Sequence, residues 1–158
     1  FFHHNQMCKA ENMSSEPTVE EPVVGIVLVT HADYGAALLR AAEFILGPLT
    51  DCTSVSVDGT LQVGETIDRL KEAVRKLDKG KGVIVLTDMF GGTPTNLSLS
   101  LLSSADIEVV TGINLPMLLK VFSSRTMELQ NLALEAKESG GNGIVVAGEV
   151  LRRKARGK

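Results

Sequence analysis

His31 is the only histidine beyond residue 4, and it ends an apolar run, Val24-Gly25-Ile26-Val27-Leu28-Val29-Thr30-His31. A second such run, Val83–Thr87, is closed by Asp88 and followed by Met89-Phe90-Gly91-Gly92-Thr93-Pro94-Thr95-Asn96. A third, 107–110, leads into Thr111-Gly112-Ile113-Asn114. A carboxylate beside an imidazole fixes its tautomer and holds one ring nitrogen, which leaves the other nucleophilic. Gly91 and Gly92 permit backbone conformations that aim N–H groups at an anion, and the helix after them adds its positive end. Thr93, with Thr30 beside the histidine, offers hydroxyl donors. This set points to a phosphoryl group carried on nitrogen, with His31 and Asp88 as the reacting pair and Thr30, Gly91, Gly92 and Thr93 as its binding groups.

Each of these residues also has a plainer reading. A lone histidine at a strand end is often only a hydrogen-bonded structural residue, and Asp88 serves equally well as a cap for its turn. Gly91-Gly92-Thr93-Pro94 reads as helix-entry punctuation too. Met89 and Phe90 stand where a loop is normally polar. They either tuck beneath it or form an exposed apolar patch for a docking partner, and Tyr34 is open to the same two readings. Asn114 is a docking residue or the cap of the helix that Pro116 begins.

Runs of β-branched and aliphatic residues without alternation indicate strands buried on both faces. Helical spacing follows them. Asp33-Tyr34-Gly35 opens a helix with Leu38, Ala42 and Ile45 on one face, stopped by Gly47-Pro48. Cys52–Val57 is half polar and suits a sheet edge. Thr60 caps a helix bearing Val63, Ile67, Leu70, Val74 and Leu77, whose charged residues fall on the solvated face. Pro94 begins a helix through Leu97, Leu101 and Leu102. Thr126 caps another with Leu129, Leu132, Ala133 and Ala136, and the apolar run 144–147 reads as a last strand. The order β-α-β-α-β-α-β-α-α-β predicts an α/β fold: a doubly wound, mostly parallel open sheet flanked by helices on both faces. Ligands in such folds collect beyond the carboxyl ends of the strands.

The chain has 158 residues, of which 44% are hydrophobic, enough to bury the core of one soluble domain over 22–151. Residues 1–21, with His3 and His4, read as a disordered arm or non-native sequence, and 152–158 as a basic tail. A formal charge of −3, 4% aromatic residues and no tryptophan argue against nucleic-acid binding. Cys8 and Cys52 suggest neither a disulfide framework nor a zinc site, so a reducing cytoplasm fits. No apolar run approaches the roughly 18 residues of a membrane span. Nothing points to a metal or another cofactor.

Over 23–138 the chain resembles the IIA domain of the mannose-family sugar phosphotransferase system of bacteria. Three motifs occur in the family's order: Gly25-Ile26-Val27-Leu28-Val29-Thr30-His31, then Leu86-Thr87-Asp88-Met89-Phe90-Gly91-Gly92-Thr93-Pro94-Thr95-Asn96, then Gly112-Ile113-Asn114-Leu115-Pro116-Met117-Leu118. The resemblance implies that His31 accepts a phosphoryl group from the histidine-containing phosphocarrier protein and passes it to a histidine of a separate IIB protein. It implies that Asp88 hydrogen-bonds the ring nitrogen that is not phosphorylated, and that the Thr93 hydroxyl lies near the phosphoryl oxygens. It also implies a homodimer, with 144–147 as a candidate exchanged antiparallel strand, and contact with the membrane only through IIC and IID subunits.

Three other readings compete. A regulatory IIA-like module would control a bound partner by its phosphorylation state, without sugar transport. A receiver domain phosphorylated on Asp88 needs paired acidic residues after the first strand, where Thr30-His31 stands. A flavodoxin-like cofactor binder needs a phosphate loop after the first strand and aromatic residues around a flavin.

Overall fold

The structure, a computed structural model, describes residues 21–157, so the expectation of a disordered arm over 1–21 falls, but for Glu21, outside the described residues. Four parallel strands, β1 (Gly25–His31), β2 (Cys52–Val57), β3 (Val83–Thr87) and β4 (Ile107–Thr111), form one sheet in the order β2-β1-β3-β4. The two most apolar strands take its centre. Every residue of β3 is buried, as is β1 up to His31, whereas β2 is half polar and forms an edge.

Side chains alternate across these strands. Ile26, Leu28, Ile84 and Leu86 pack with α1 (Tyr34–Leu46), α4 (Leu115–Ser123) and α5 (Leu129–Asn142). On the other face Val27, Val29, Val83 and Val85 pack with Leu70 and Val74 of α2 (Val63–Leu77) and with Leu101, just beyond α3 (Thr93–Leu99). The sheet is therefore covered on both sides, as expected. Burying a Leu or Val such as these is worth about 1.5–3 kcal/mol each. The chain leaves β1 for β2 on one side, and β3 lies on the other. The ends of β1 and β3 thus flank the switch point where such sheets bind ligands.

Two polar clamps, one buried and one partly buried, hold this frame. Arg125 donates from Nε to Val24 O (3.0 Å), from Nη1 to Thr50 O (2.9 Å) and from Nη2 to Asp51 O (3.2 Å), and its guanidinium lies 5.5 Å from the Phe122 ring centre. It ties the entrances of β1 and β2 to the end of α4. At the other end of the sheet Asn114 caps α4, accepting from Met117 N–H at 3.0 Å, while its Nδ2 donates to Gly140 O at 2.9 Å. Gly140 lies inside α5, where a Cβ would fall 2.6 Å from Met117 Cε. The helix runs on through Gly141 to Asn142, and the missing side chain at Gly140 lets α4 and α5 pack closely.

Several sequence expectations are corrected. The run 144–147 is not a strand. Ile144 N–H turns back to Gly141 O, and Val146 O accepts from Glu149 and Val150 N–H as a helix begins. Without a neighbouring strand those groups are satisfied locally, and the basic tail becomes α6 (Ala147–Arg156), none of whose residues is buried. Thr60 is not a cap: its N–H and hydroxyl both go to Asp58, and Gln62 with Glu65 forms the capping box of α2. Glu128, not Thr126, precedes α5. Ile45 is 53% exposed, so the buried face of α1 is carried by Leu38 and Ala42.

Candidate active site at the ends of β1 and β3

Alternation decides which polar residues reach the rim. Thr30 faces α1, where it is 1% exposed and its Oγ1 accepts from Gly35 N–H at 2.8 Å. The expectation that Thr30 binds a phosphoryl group is corrected on this ground: its hydroxyl anchors the start of α1 beneath the site. His31, one residue on, emerges on the α2 and α3 side. Its ring borders a groove of about 470 Å³ lined also by Val57, Asp58, Leu61, Thr93 and Leu97. The next residue, Ala32, has a left-handed φ of 48° and donates its N–H to Val57 O at 3.1 Å, which turns the chain sharply away.

The His31 side chain is 49% exposed and that of Asp88 15%. Asp88 Oδ2 accepts from His31 N–H at 2.8 Å and lies 2.7 Å from His31 Nδ1, while Oδ1 accepts from Met89 N–H at 2.9 Å. An ionised carboxylate only accepts, so the proton on the ring belongs at Nδ1 and the lone pair at Nε2. Burial raises the Asp88 pKa, but the backbone and ring bonds from His31 more than offset it, and the carboxyl ends below its ordinary range. Asp88 is therefore an ionised acceptor at neutral pH.

Gly92 reaches the ring from the far side. A Cβ there would stand 3.1 Å from His31 Cε1, so glycine lets the backbone lie against the edge between the two ring nitrogens. Gly91 has φ 79°, a left-handed conformation that glycine adopts freely. Thr93 is exposed and opens α3 beside the same groove. The four residues His31, Asp88, Gly92 and Thr93 thus come together.

Asn114 does not join them. Both ends of its amide are committed to the α4 cap and to Gly140, which favours the capping reading over docking. Met89 and Phe90 do not tuck beneath the loop: they are 55% and 78% exposed beside Asp88. Tyr34 divides its roles, with its hydroxyl donating to Ile113 O at 2.9 Å while the residue stays 41% exposed. Sequence reasoning missed the wall contributed by Asp58, Leu61, Val63 and Thr66. The available signal was the Asp58-Gly59 turn after an edge strand that pairs with β1 and so ends on the same rim. It also gave Thr95 no role.

The fold and the site together define an open α/β domain with a carboxylate-held histidine at its switch point. The chain is a member of the EIIA-man family, described as the PTS system fructose IIA component, which it matches over residues 25–137. Over 124 residues it is 29% identical to the PTS system mannose-specific EIIAB component of Escherichia coli, a match covering 77% of this chain and 38% of that protein. The PTS system fructose-specific EIIA component of Bacillus subtilis is 28% identical over 137 residues, covering 83% of this chain and 91% of the relative. The crystal structure of phosphotransferase system component EIIA from Streptococcus agalactiae superposes with a TM-score of 0.73 at 28% identity, covering 80% of this chain and 98% of that one. Among the described residues no helix is long and apolar enough to cross a membrane.

Proposed function

We propose that this domain relays a phosphoryl group through His31, taking it from the phosphohistidine of a phosphocarrier protein and giving it to a IIB protein. One observation carries the reading: Asp88 occupies Nδ1 of a half-exposed imidazole and so reserves Nε2 for attack. The Nε2 lone pair forms the new N–P bond in line as the donor N–P bond breaks, and the bonding pair stays on the donor nitrogen. With Nδ1 still protonated, the phosphorylated ring is an imidazolium, and the Asp88 carboxylate balances its charge. The transition state is loose and highly charged, so positioning and hydrogen-bond donors supply most of the rate.

Thr93 and the N–H groups of Gly91 and Gly92 bind the phosphoryl oxygens. Met89 and Phe90 form the apolar contact for the partner that presents or receives the group. A homodimer belongs to the same reading, supported by the exposed apolar run Ile144-Val145-Val146. The deciding experiment is intact mass after incubation with phosphoenolpyruvate, enzyme I and the phosphocarrier protein. A gain of about 80 Da that is acid-labile and absent from His31→Ala is expected. No gain, or an equal gain in the variant, removes His31 from the relay.

A further inference from the structure

The loop that carries Asp88 is held from below by a hydroxyl pair. Thr87 and Thr95 are both fully buried, and their Oγ1 atoms lie 2.7 Å apart. Thr95 has one hydroxyl proton and gives it to Met89 O at 2.7 Å, so Thr87 is the donor within the pair. Met89 is thereby fixed at both ends, its carbonyl by Thr95 and its N–H by Asp88 Oδ1. From Asp88 the same carboxylate continues to the backbone and ring of His31. An unbroken hydrogen-bonded chain therefore runs from β3 and α3, through Thr95, Met89 and Asp88, to the imidazole.

We propose that Thr95 is a positioning residue, whose hydroxyl fixes the Asp88 loop and through it the Nδ1–H tautomer of His31. The inference rests on the relay reading for its catalytic consequence, but not for its structural one. The loop after Asp88 contains Gly91, which does little to restrain it, and Met89 and Phe90 project into solvent. Without Thr95, Met89 O has no buried donor holding it, and the carboxylate can move relative to the ring by the few tenths of an ångström that uncouple a hydrogen bond. A displaced Asp88 releases the imidazole to its intrinsic preference for a proton on Nε2, which blocks the nucleophilic nitrogen.

The test compares full-length Thr95→Val, Thr95→Ser and Ser98→Ala with the parent. Ser98 is the control: it is fully buried in the same helix, and its hydroxyl donates to Pro94 O at 2.8 Å, away from the loop. The first readout is the ring 15N spectrum of His31 at neutral pH, which distinguishes the tautomers without any phosphoryl donor. The parent is expected to show mainly Nδ1–H, as are Thr95→Ser and Ser98→Ala, while Thr95→Val shows a mixture with Nε2–H. The second readout is phosphoryl uptake, expected to fall by about tenfold or more in Thr95→Val and to recover in Thr95→Ser. If Thr95→Val does not fold, Thr95→Ala removes the same hydroxyl without adding bulk and is read identically. An unchanged tautomer in the folded hydroxyl-less variant overturns the proposal, as does equal mixing in Ser98→Ala. If the parent takes up no phosphoryl group, the relay reading fails while the tautomer comparison still decides the role of Thr95.

Discussion

A single oxygen, Asp88 Oδ2, accepts from the backbone N–H of His31 at 2.8 Å and faces its ring Nδ1 at 2.7 Å. The imidazole is thus held by a group registered to its own main chain, so the ring and the end of β1 are positioned together. Asp88→Asn keeps the shape but replaces a charged acceptor by an amide that can also present its NH2 side. It is expected to slow phosphoryl uptake about a hundredfold in protein that still folds. Quench-flow labelling beside a urea titration checks this, and equal rates would remove Asp88 from the mechanism.

The same contact has a pH signature. The folded-state pKa of Asp88 is depressed, so its contribution to stability is present above the unfolded carboxylate value of about 3.9 and is lost as pH falls through the lower folded value. Parent and Asp88→Asn should therefore differ in unfolding free energy at pH 6, and the gap should narrow as pH falls below the ordinary carboxylate range. Urea midpoints measured across that range give the answer. A gap that widens on acidification contradicts the assignment.

Gly92→Ala tests how closely the backbone must approach the ring. Its φ of −78° suits alanine, so the new Cβ, 3.1 Å from His31 Cε1, is the main perturbation. The ring must yield by a few tenths of an ångström against the Asp88 bond. Uptake should fall about tenfold while thermal unfolding moves by no more than a few degrees. Retained activity would mean the ring has slack that the geometry does not suggest.

How much of this was legible beforehand follows from the range of the interactions. The buried runs ending at His31 and Asp88 announced two central parallel strands, and fold rules alone brought their ends together. Thr30 was misassigned because period-2 alternation sends it to the α1 face, and a residue type does not report the face it will occupy. The run 144–147 reads as a strand in sequence because apolar content does not say whether a strand of the same chain lies beside it, and among the described residues none does. Thr95 went unread because its partners, Thr87 and Met89 O, are chosen by tertiary packing, whereas the Asn114 cap is local and was among the readings the sequence offered.

Asn114→Ala separates capping from docking. It removes the acceptor for Met117 N–H and leaves Gly140 O without its donor, which together should cost about 1–2 kcal/mol of stability. Phosphoryl uptake by the folded fraction should match the parent. A raised KM for the phosphocarrier at unchanged stability would return Asn114 to the interface.

Phe90→Ser addresses the exposed apolar patch. Phe90 is 78% exposed, so its replacement removes little internal packing and should leave folding within about 0.5 kcal/mol of the parent. If the ring docks a partner, truncation at the centre of a desolvated contact costs on the order of 1–2 kcal/mol of binding, a rise in KM for the phosphocarrier of about five- to thirtyfold. The chemistry at Nε2 is untouched, so kcat should hold. Met89→Ser is expected to behave in the same way but more weakly, since Met89 is 55% exposed and has less side chain free to be covered. A fall in kcat at constant KM would instead place these residues with the loop that steadies Asp88, and the docking surface would have to lie on the opposite wall formed by Leu61 and Val63.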